Sequence, residues 1–222
     1  MWRQGFESPR GHKQEISKKM KKVFILGING SPFNDGKCSF YLKKFLKNSE
    51  KYGAKTEILN LGDKKILPCL GCYSKNPKNC TYPCWQKDDM SSLYPVIEKA
   101  DALVLGTPVY WFNVSGLMKN FIDRLTCMDV NDNLLEGKVG IFISVSKENE
   151  GGRVSASLAL AGSLSHFGLL IPPYGILFYP GQEKIKNKKK IIWKDWFEEE
   201  LNSISKNLIK LCQFLKKENF SW

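Results

Sequence analysis

Short apolar runs alternate with longer segments of helical spacing along most of this chain, and few architectures accommodate that rhythm. Residues 22–29 (KVFILGIN) form an apolar run that ends in a glycine turn and reads as a buried strand. Phe40, Tyr41, Phe45 and Leu46 then recur at helical spacing across residues 37–52. Residues 55–61 alternate as a second strand, and a helix follows through Tyr94 to Lys99. Residues 101–106 (DALVLG) read as a third strand, and residues 114–127 as a helix with Leu117, Phe121 and Leu125 along one side. Residues 139–145 and 174–178 supply the fourth and fifth strands around an Ala-, Ser- and Leu-rich helix over 153–167. A last helix, near 192–215, carries Trp193, Trp196, Leu201, Ile204, Leu208, Leu211 and Leu215. It suits either subunit packing or cover for one face of its own sheet. Apart from the second, the strands are apolar rather than alternating, so both faces of the sheet should be buried. That implies a parallel sheet between two helical layers, an α/β three-layer sandwich.

No linker or repeat divides the 222 residues, so residues 20–222 are expected to be one domain with an excursion at 65–89. Residues 1–19 lack periodicity, and Gly5-Phe6-Glu7-Ser8-Pro9 is the string that a tRNA T-arm gives when read as codons. The expectation is a native start at Met20 and a disordered or non-native extension before it. No apolar run reaches the roughly 20 residues that span a bilayer, and the first residues hold no secretory h-region. A cytoplasmic location and no membrane partner follow. The net charge of +12, fed by the tail and by the run 184–190, comes without zinc-finger spacing or an RNP-like aromatic pattern. Nucleic acid is therefore not expected, and a solvated basic face that tolerates phosphorylated cofactors is.

The turn after the first strand runs Gly27-Ile28-Asn29-Gly30-Ser31-Pro32-Phe33-Asn34-Asp35-Gly36-Lys37-Cys38-Ser39 into a helix. Glycines allow the tight turn, and the free N–H groups and dipole of a helix start make an anion site. Ser31, Asn34 and Ser39 add neutral donors and Lys37 a charge. A dinucleotide fingerprint is missing its first G-x-G. A Walker loop fails too, because Gly30 and Gly36 enclose five residues and Cys38 stands where a hydroxyl belongs. A phosphate monoester survives both exclusions.

Residues 100–124 end a strand in Gly106-Thr107-Pro108, continue Val109-Tyr110-Trp111-Phe112-Asn113, and enter a helix bearing Lys119, Asp123 and Arg124. With Gly30, Ser31, Pro32 and Gly36, this stretch resembles the NADPH-dependent FMN reductase and iron–sulfur flavoprotein group of flavodoxin-like proteins. The resemblance runs from about Lys22 to Tyr179. Phe33, Lys37 and Cys38 depart from the group's phosphate loop, and Ser39 stands in for a missing hydroxyl. The resemblance implies a flavodoxin-like sheet of order 2-1-3-4-5 that binds FMN. It implies phosphate contacts from Ser31, Phe33, Asn34, Gly36, Lys37, Cys38 and Ser39. Pro108, Val109, Tyr110, Trp111, Phe112 and Asn113 would meet the isoalloxazine, and Ser144, Ser146, Gly151 and Gly152 would close over it. Aromatic rings suit a flat flavin, though Trp111 and Phe112 would equally suit a core. Lys119, Asp123 and Arg124 are expected to brace the helix or a subunit contact.

Cys69, Cys72, Cys80 and Cys84 crowd one segment, while Cys38, Cys127 and Cys212 are scattered. Without an export signal, disulfides are disfavoured. Iron–sulfur flavoproteins hold a [4Fe–4S] cluster on a Cys-x2-Cys-x2-Cys-x4–7-Cys set, and here the third position of that set is Lys75. Four thiolates suit a cubane or zinc, and free thiols remain a third reading.

His166, on an apolar helix, reads as a packed histidine, and Asp88-Asp89 as a helix cap, so no acid–base machinery stands out. A flavin needs none, because hydride passes to its N5 and the protein positions the rings. Catalysis is thus assigned to no side chain. The first expectation is an FMN-dependent oxidoreductase taking electrons from NAD(P)H to a flavin, quinone or similar small acceptor. The second is an electron carrier served by ferredoxin through an iron–sulfur cluster, and the third a flavin-free interaction module. A homodimer or homotetramer goes with the resemblance.

Overall fold

The computed structural model describes residues 22–147, 152–180 and 189–218. The expected extension over 1–19, Gly151 and most of the basic run at 184–190 lie outside these residues. Five strands, β1 (Phe24–Asn29), β2 (Lys55–Asn60), β3 (Ala102–Pro108), β4 (Val139–Ser146) and β5 (Ile176–Pro180), pair in parallel in the order β2-β1-β3-β4-β5. The flavodoxin-like order expected from the resemblance is therefore the observed one.

Side chains along a strand point alternately to opposite faces, and in β1, β3 and β4 both sets are buried, whereas edge strand β2 is partly exposed. Leu26, Ile28, Leu103, Leu105 and Phe142 face one core, shared with α3 (Met90–Lys99), α4 (Gly116–Arg124) and α6 (Gly152–His166). Ile25, Val104, Ile141 and Ile143 face the other, shared with α1 (Lys37–Glu50) and α7 (Lys189–Glu218). In α7, Leu201, Ile204, Leu208 and Cys212 are buried against the sheet, so this helix covers its own domain. Among the described residues, no helix is long and apolar enough to cross a membrane.

Two expected boundaries shift for local reasons. The helix expected over 114–127 ends at Arg124, and a separate turn, α5 (Thr126–Asp129), follows. There the Thr126 hydroxyl donates to the Asp123 carbonyl at 2.8 Å, a side chain competing with the helical ladder. The fifth strand starts at Ile176 rather than 174 because Tyr174 sits at φ 62°, which no strand accommodates. The excursion at 65–89 holds only a short helix, α2 (Cys72–Lys75), and a 3-10 turn, Pro77–Asn79.

Candidate functional site

The strand order reverses between β1 and β3, and ligands of open α/β sheets sit at the carboxyl ends of the strands flanking such a reversal. The two loops singled out in the sequence both leave that edge. Buried Asn29, the last residue of β1, shapes the first. Its side chain accepts from the Ser31 amide at 3.1 Å and donates to the Phe33 carbonyl at 3.3 Å and to Asn60 at 3.1 Å. The Ser31 hydroxyl accepts from the Phe33 amide at 3.1 Å. Asn34 donates to both carboxylate oxygens of Asp63, at 2.9 and 2.8 Å, and its own Oδ1 is buried without a partner among the described residues. The Ser39 hydroxyl donates to the Asn34 carbonyl at 2.7 Å.

This loop delivers the chain into α1 with Gly36 as N-cap, no side chain capping the first turn and no acidic residue in it. Those amides and the positive end of a 14-residue helix are thus left for an external anion. Lys37 and Phe33 are exposed beside them. The Cys38 thiol is turned into the core against Gly106, and burial pushes it up to about 12. Cys38 therefore offers an anion its backbone and not its side chain, and the buried Ser39 hydroxyl is committed to the loop itself.

The second loop is a two-residue hairpin. Tyr110 and Asn113 exchange both backbone hydrogen bonds at 3.0 Å, with Trp111 at φ 49° and Phe112 at φ 60° between them. Two positive φ values define a type I′ turn, whose usual occupants are Asn and Gly. Here two bulky aromatics take the left-handed conformation, at about 1–2 kcal/mol each. Trp111 is 96% exposed and Phe112 66%, which removes the core-packing reading for both. The Asn113 side chain accepts from the Val114 amide at 2.8 Å, and Val109 anchors the loop through its amide to the Val145 carbonyl.

Ser115 joins the two loops. Its hydroxyl donates to the Gly30 carbonyl at 2.6 Å and accepts from the Met118 amide at 3.1 Å, capping α4. Its amide donates to the buried Thr107 hydroxyl at 3.0 Å. Ser115→Ala is expected to cost about 2 kcal/mol, from a lost cap and an unpaired buried carbonyl, read as a lower urea midpoint at unchanged slope. Asn29, Gly62, Thr107 and Ser115 were not singled out in the sequence. An Asn ending an apolar strand and a Ser three residues before Met118 were the available signals.

Of the third group, Gly152 abuts the hairpin, since a Cβ there would meet Val109 at 2.9 Å and Phe112 at 3.5 Å. Pro108 and Ser146 end their strands at the same edge. Ser144 faces away from it: its buried hydroxyl bonds the Arg153 carbonyl at 3.1 Å and the Ser157 hydroxyl at 3.0 Å, joining β4 to α6. His166 is not packed but exposed, on the rim of a crevice of about 410 Å³ with Asp129 and Glu136. That crevice lies at the opposite, amino-terminal edge of the sheet, beside Leu169 and Leu170.

The cysteine segment folds back on α4 and α5. Arg124 and Asp88 form an ion pair with side chains 1% and 0% exposed, and Arg124 also donates to the Leu67 carbonyl at 2.9 Å. Burial alone would raise the Asp88 carboxyl, but hydrogen bonds from Arg124, Leu67 and Met90 hold it below its usual value. Asp88 thus braces the loop as well as accepting from the Met90 amide at 3.1 Å. Lys119 and Asp123 pair with each other at 2.5 Å. The bracing expected of Lys119, Asp123 and Arg124 is what they do.

Cys69, Cys72, Cys80 and Cys84 line one small cavity of about 10 Å³, and Cys127 of α5 lines it with them. The sequence left Cys127 among the scattered cysteines, because nothing in spacing marks a residue 43 positions beyond Cys84. Burial first, then Cys72, Cys127 and Cys84 as neighbours, push the Cys80 thiol up to about 12. Arg124 also lines this cavity, and its Nε is buried without a partner among the described residues. Five thiols and an unmet cationic donor suit thiolates and sulfides. As they stand, no three His, Cys, Asp or Glu side chains among the described residues are in metal-binding geometry. The donor set fits an iron–sulfur centre, and the exposed loop must shift to make room for one.

Among solved structures, RosB with bound 8-demethyl-8-formylriboflavin-5'-phosphate superposes with a TM-score of 0.69 at 18% identity, over 89% of this chain and 82% of that one. An iron-sulfur flavoprotein of Archaeoglobus fulgidus is 35% identical over 136 residues, 61% of this chain and 65% of that protein. One from Methanosarcina thermophila is 24% identical over 203 residues, 86% of this chain and 95% of that protein. The matched stretch spans only 57 to 65% of the length of the first of these relatives. The sequence profile of NADPH-dependent FMN reductases matches residues 23–180, most of the chain from β1 through β5, and the protein belongs to that family.

Proposed function

We propose that this protein is an FMN-dependent oxidoreductase that takes electrons from NAD(P)H and passes them to a flavin, quinone or similar small acceptor. The observation that carries the reading is the pairing, on one sheet edge, of an uncapped α1 N-terminus with a strained, solvent-exposed Trp111-Phe112 turn. Backbone strain is retained where surroundings or function demand it. When bound, FMN supplies a hydride acceptor at N5. The first-turn amides of α1 and the Lys37 ammonium neutralise its phosphate, with Ser31, Phe33, Asn34 and Gly36 giving the loop its shape. Pro108 to Asn113 present the aromatic surface for the ring, and Ser146 and Gly152 approach it from β4 and α6. The protein works as a cytoplasmic homodimer or homotetramer.

The cysteine cavity favours a further reading, in which thiolates hold a [4Fe–4S] cluster that supplies one-electron transfer and admits ferredoxin as donor. Arg124 Nε then donates toward the sulfurs, and Asp88 keeps that guanidinium in place.

Protein purified without air is expected to show the visible bands of oxidised flavin and to lose them on addition of NADPH. A chain that retains no flavin and binds none on titration overturns the reading. Bands that persist with NADPH and bleach with reduced ferredoxin select the carrier instead. The double substitution Trp111→Asn, Phe112→Gly should separate fold from function. It relieves left-handed strain worth about 1–2 kcal/mol at each position and raises the melting temperature. Losing the aromatic surface, worth about 0.5–1.5 kcal/mol per ring contact, weakens FMN roughly tenfold.

A further inference from the structure

We propose that Cys127 is a ligand of the iron–sulfur centre, which is therefore held between the cysteine loop and α5 rather than by the loop alone. The inference rests on the reading that the cysteine cavity takes a cluster, and it names a ligand from outside the cysteine-rich segment.

Three independent contacts fix Cys127 at this cavity. The Asn131 side-chain amide donates to the Cys80 carbonyl at 2.8 Å and to the Cys127 carbonyl at 2.9 Å, so one group clamps a loop cysteine to the helical one. The Tyr94 hydroxyl donates to the Arg124 carbonyl at 3.1 Å, the same carbonyl that the Cys127 thiol meets at 3.6 Å. The Arg124–Asp88 pair then ties α4, one residue before α5, to the end of the loop. Cys127 is 2% exposed and Cys80 8%, whereas Cys69, Cys72 and Cys84 are half-buried on the outer side. The inner wall of the cavity is thus made by Cys80 and Cys127, and the outer wall by the rest.

The unpartnered Arg124 Nε, on a side chain 1% exposed, is the second observation. A buried guanidinium N–H is rarely left without an acceptor. Asp88 already balances the guanidinium charge, so what this N–H lacks is an acceptor, and Arg124 lines the same cavity as Cys127. A neutral thiol is a weak acceptor, whereas metal-bound thiolates and sulfides are strong ones. A cubane takes four protein sulfurs, and five line the cavity. With Cys127 engaged, one loop cysteine is spare. Closing the sulfurs onto metal takes side-chain rotation and outward movement of a loop whose Leu70, Tyr73 and Trp85 already stand in solvent.

The test reconstitutes the full chain with iron and sulfide without air. It compares wild type, Cys127→Ser, Cys212→Ala and each single loop Cys→Ala variant by iron per subunit and by the electron paramagnetic resonance of the reduced centre. Cys212 is an equally buried thiol in the opposite core and controls for loss of a buried sulfur. Melting curves and flavin binding report folding. The expected result is four irons in wild type and Cys212→Ala, altered resonance or at least a twofold loss of iron in Cys127→Ser, and one loop variant with unchanged iron and resonance. Unchanged iron and resonance in Cys127→Ser overturns the proposal while leaving the cluster itself standing. A wild type that binds no iron overturns both. An anaerobic crystal structure of the loaded, unaltered chain decides independently of any variant: Cys127 Sγ bonded to iron supports the proposal, and a cluster without that bond refutes it.

Discussion

Asp88→Asn is expected to lower the unfolding free energy by about 3–5 kcal/mol at neutral pH, the cost of leaving one member of a buried ion pair alone. Both side chains are essentially sealed from water, and the carboxylate also accepts the Leu67 amide at 2.8 Å and the Met90 amide at 3.1 Å. An asparagine keeps the shape but reverses the polarity of one oxygen and abandons the Arg124 charge. For a chain of this size the loss corresponds to a fall of roughly 6–20 °C in melting temperature. The pH dependence gives a second, independent reading. The folded-state Asp88 carboxyl lies below its ordinary value. Its contribution is therefore complete above about pH 4, the unfolded value, and is lost as pH falls from there through the folded value. The gap between wild type and variant should be flat from neutrality to about pH 5 and close below pH 4. Urea midpoints at pH 7, 5 and 3.5 measure it. A gap under 1 kcal/mol at pH 7 would show the pair to be solvated.

Gly62→Val is expected to weaken FMN binding on the order of 100-fold, about 2.7 kcal/mol, while the fold persists. Gly62 lies in the 3-10 turn Leu61–Asp63 that leaves β2, a residue before the carboxylate holding Asn34. A Cβ there would stand 2.9 Å from the Pro32 carbonyl oxygen and 3.0 Å from its Cα. Both obstacles are backbone, so no side chain can rotate aside, and the loop after β1 must move bodily. An anion site made of amides has its geometry set by that loop and is correspondingly sensitive. Fluorescence titration with FMN measures the effect. Affinity within threefold of wild type would mean that the phosphate is held elsewhere.

The sheet was legible in the sequence because buried parallel strands advertise themselves as unbroken apolar runs, and DALVLG and KVFILGIN needed no tertiary information. The glycine loop and the Trp111-Phe112 segment were legible for the same local reason, their chemistry being contiguous. What escaped was the stitching between segments. Ser115 acts through a carbonyl 85 positions away, Asp88 through an arginine 36 positions on, and Gly62 through the mere absence of a side chain. Cys38, Ser39 and Ser144 carry plausible ligand chemistry, yet the rotation of their elements turns those groups inward. A residue type announces what it can do, and only the packing decides which way it faces.

The Trp111-Phe112 turn has a consequence on the timescale of descent. Asparagine and glycine would sit there more comfortably, so stepwise substitution toward them offers this chain a stabilising escape. A lineage no longer using the site would accept that escape quickly, since nothing would oppose the gain. If the pair holds the proposed cofactor, it is a running record of use, kept only while selection for the ligand outweighs the advantage of a relaxed hairpin. Among descendants of this chain, drift to Asn-Gly at these two positions would mark the branch on which the cofactor was given up.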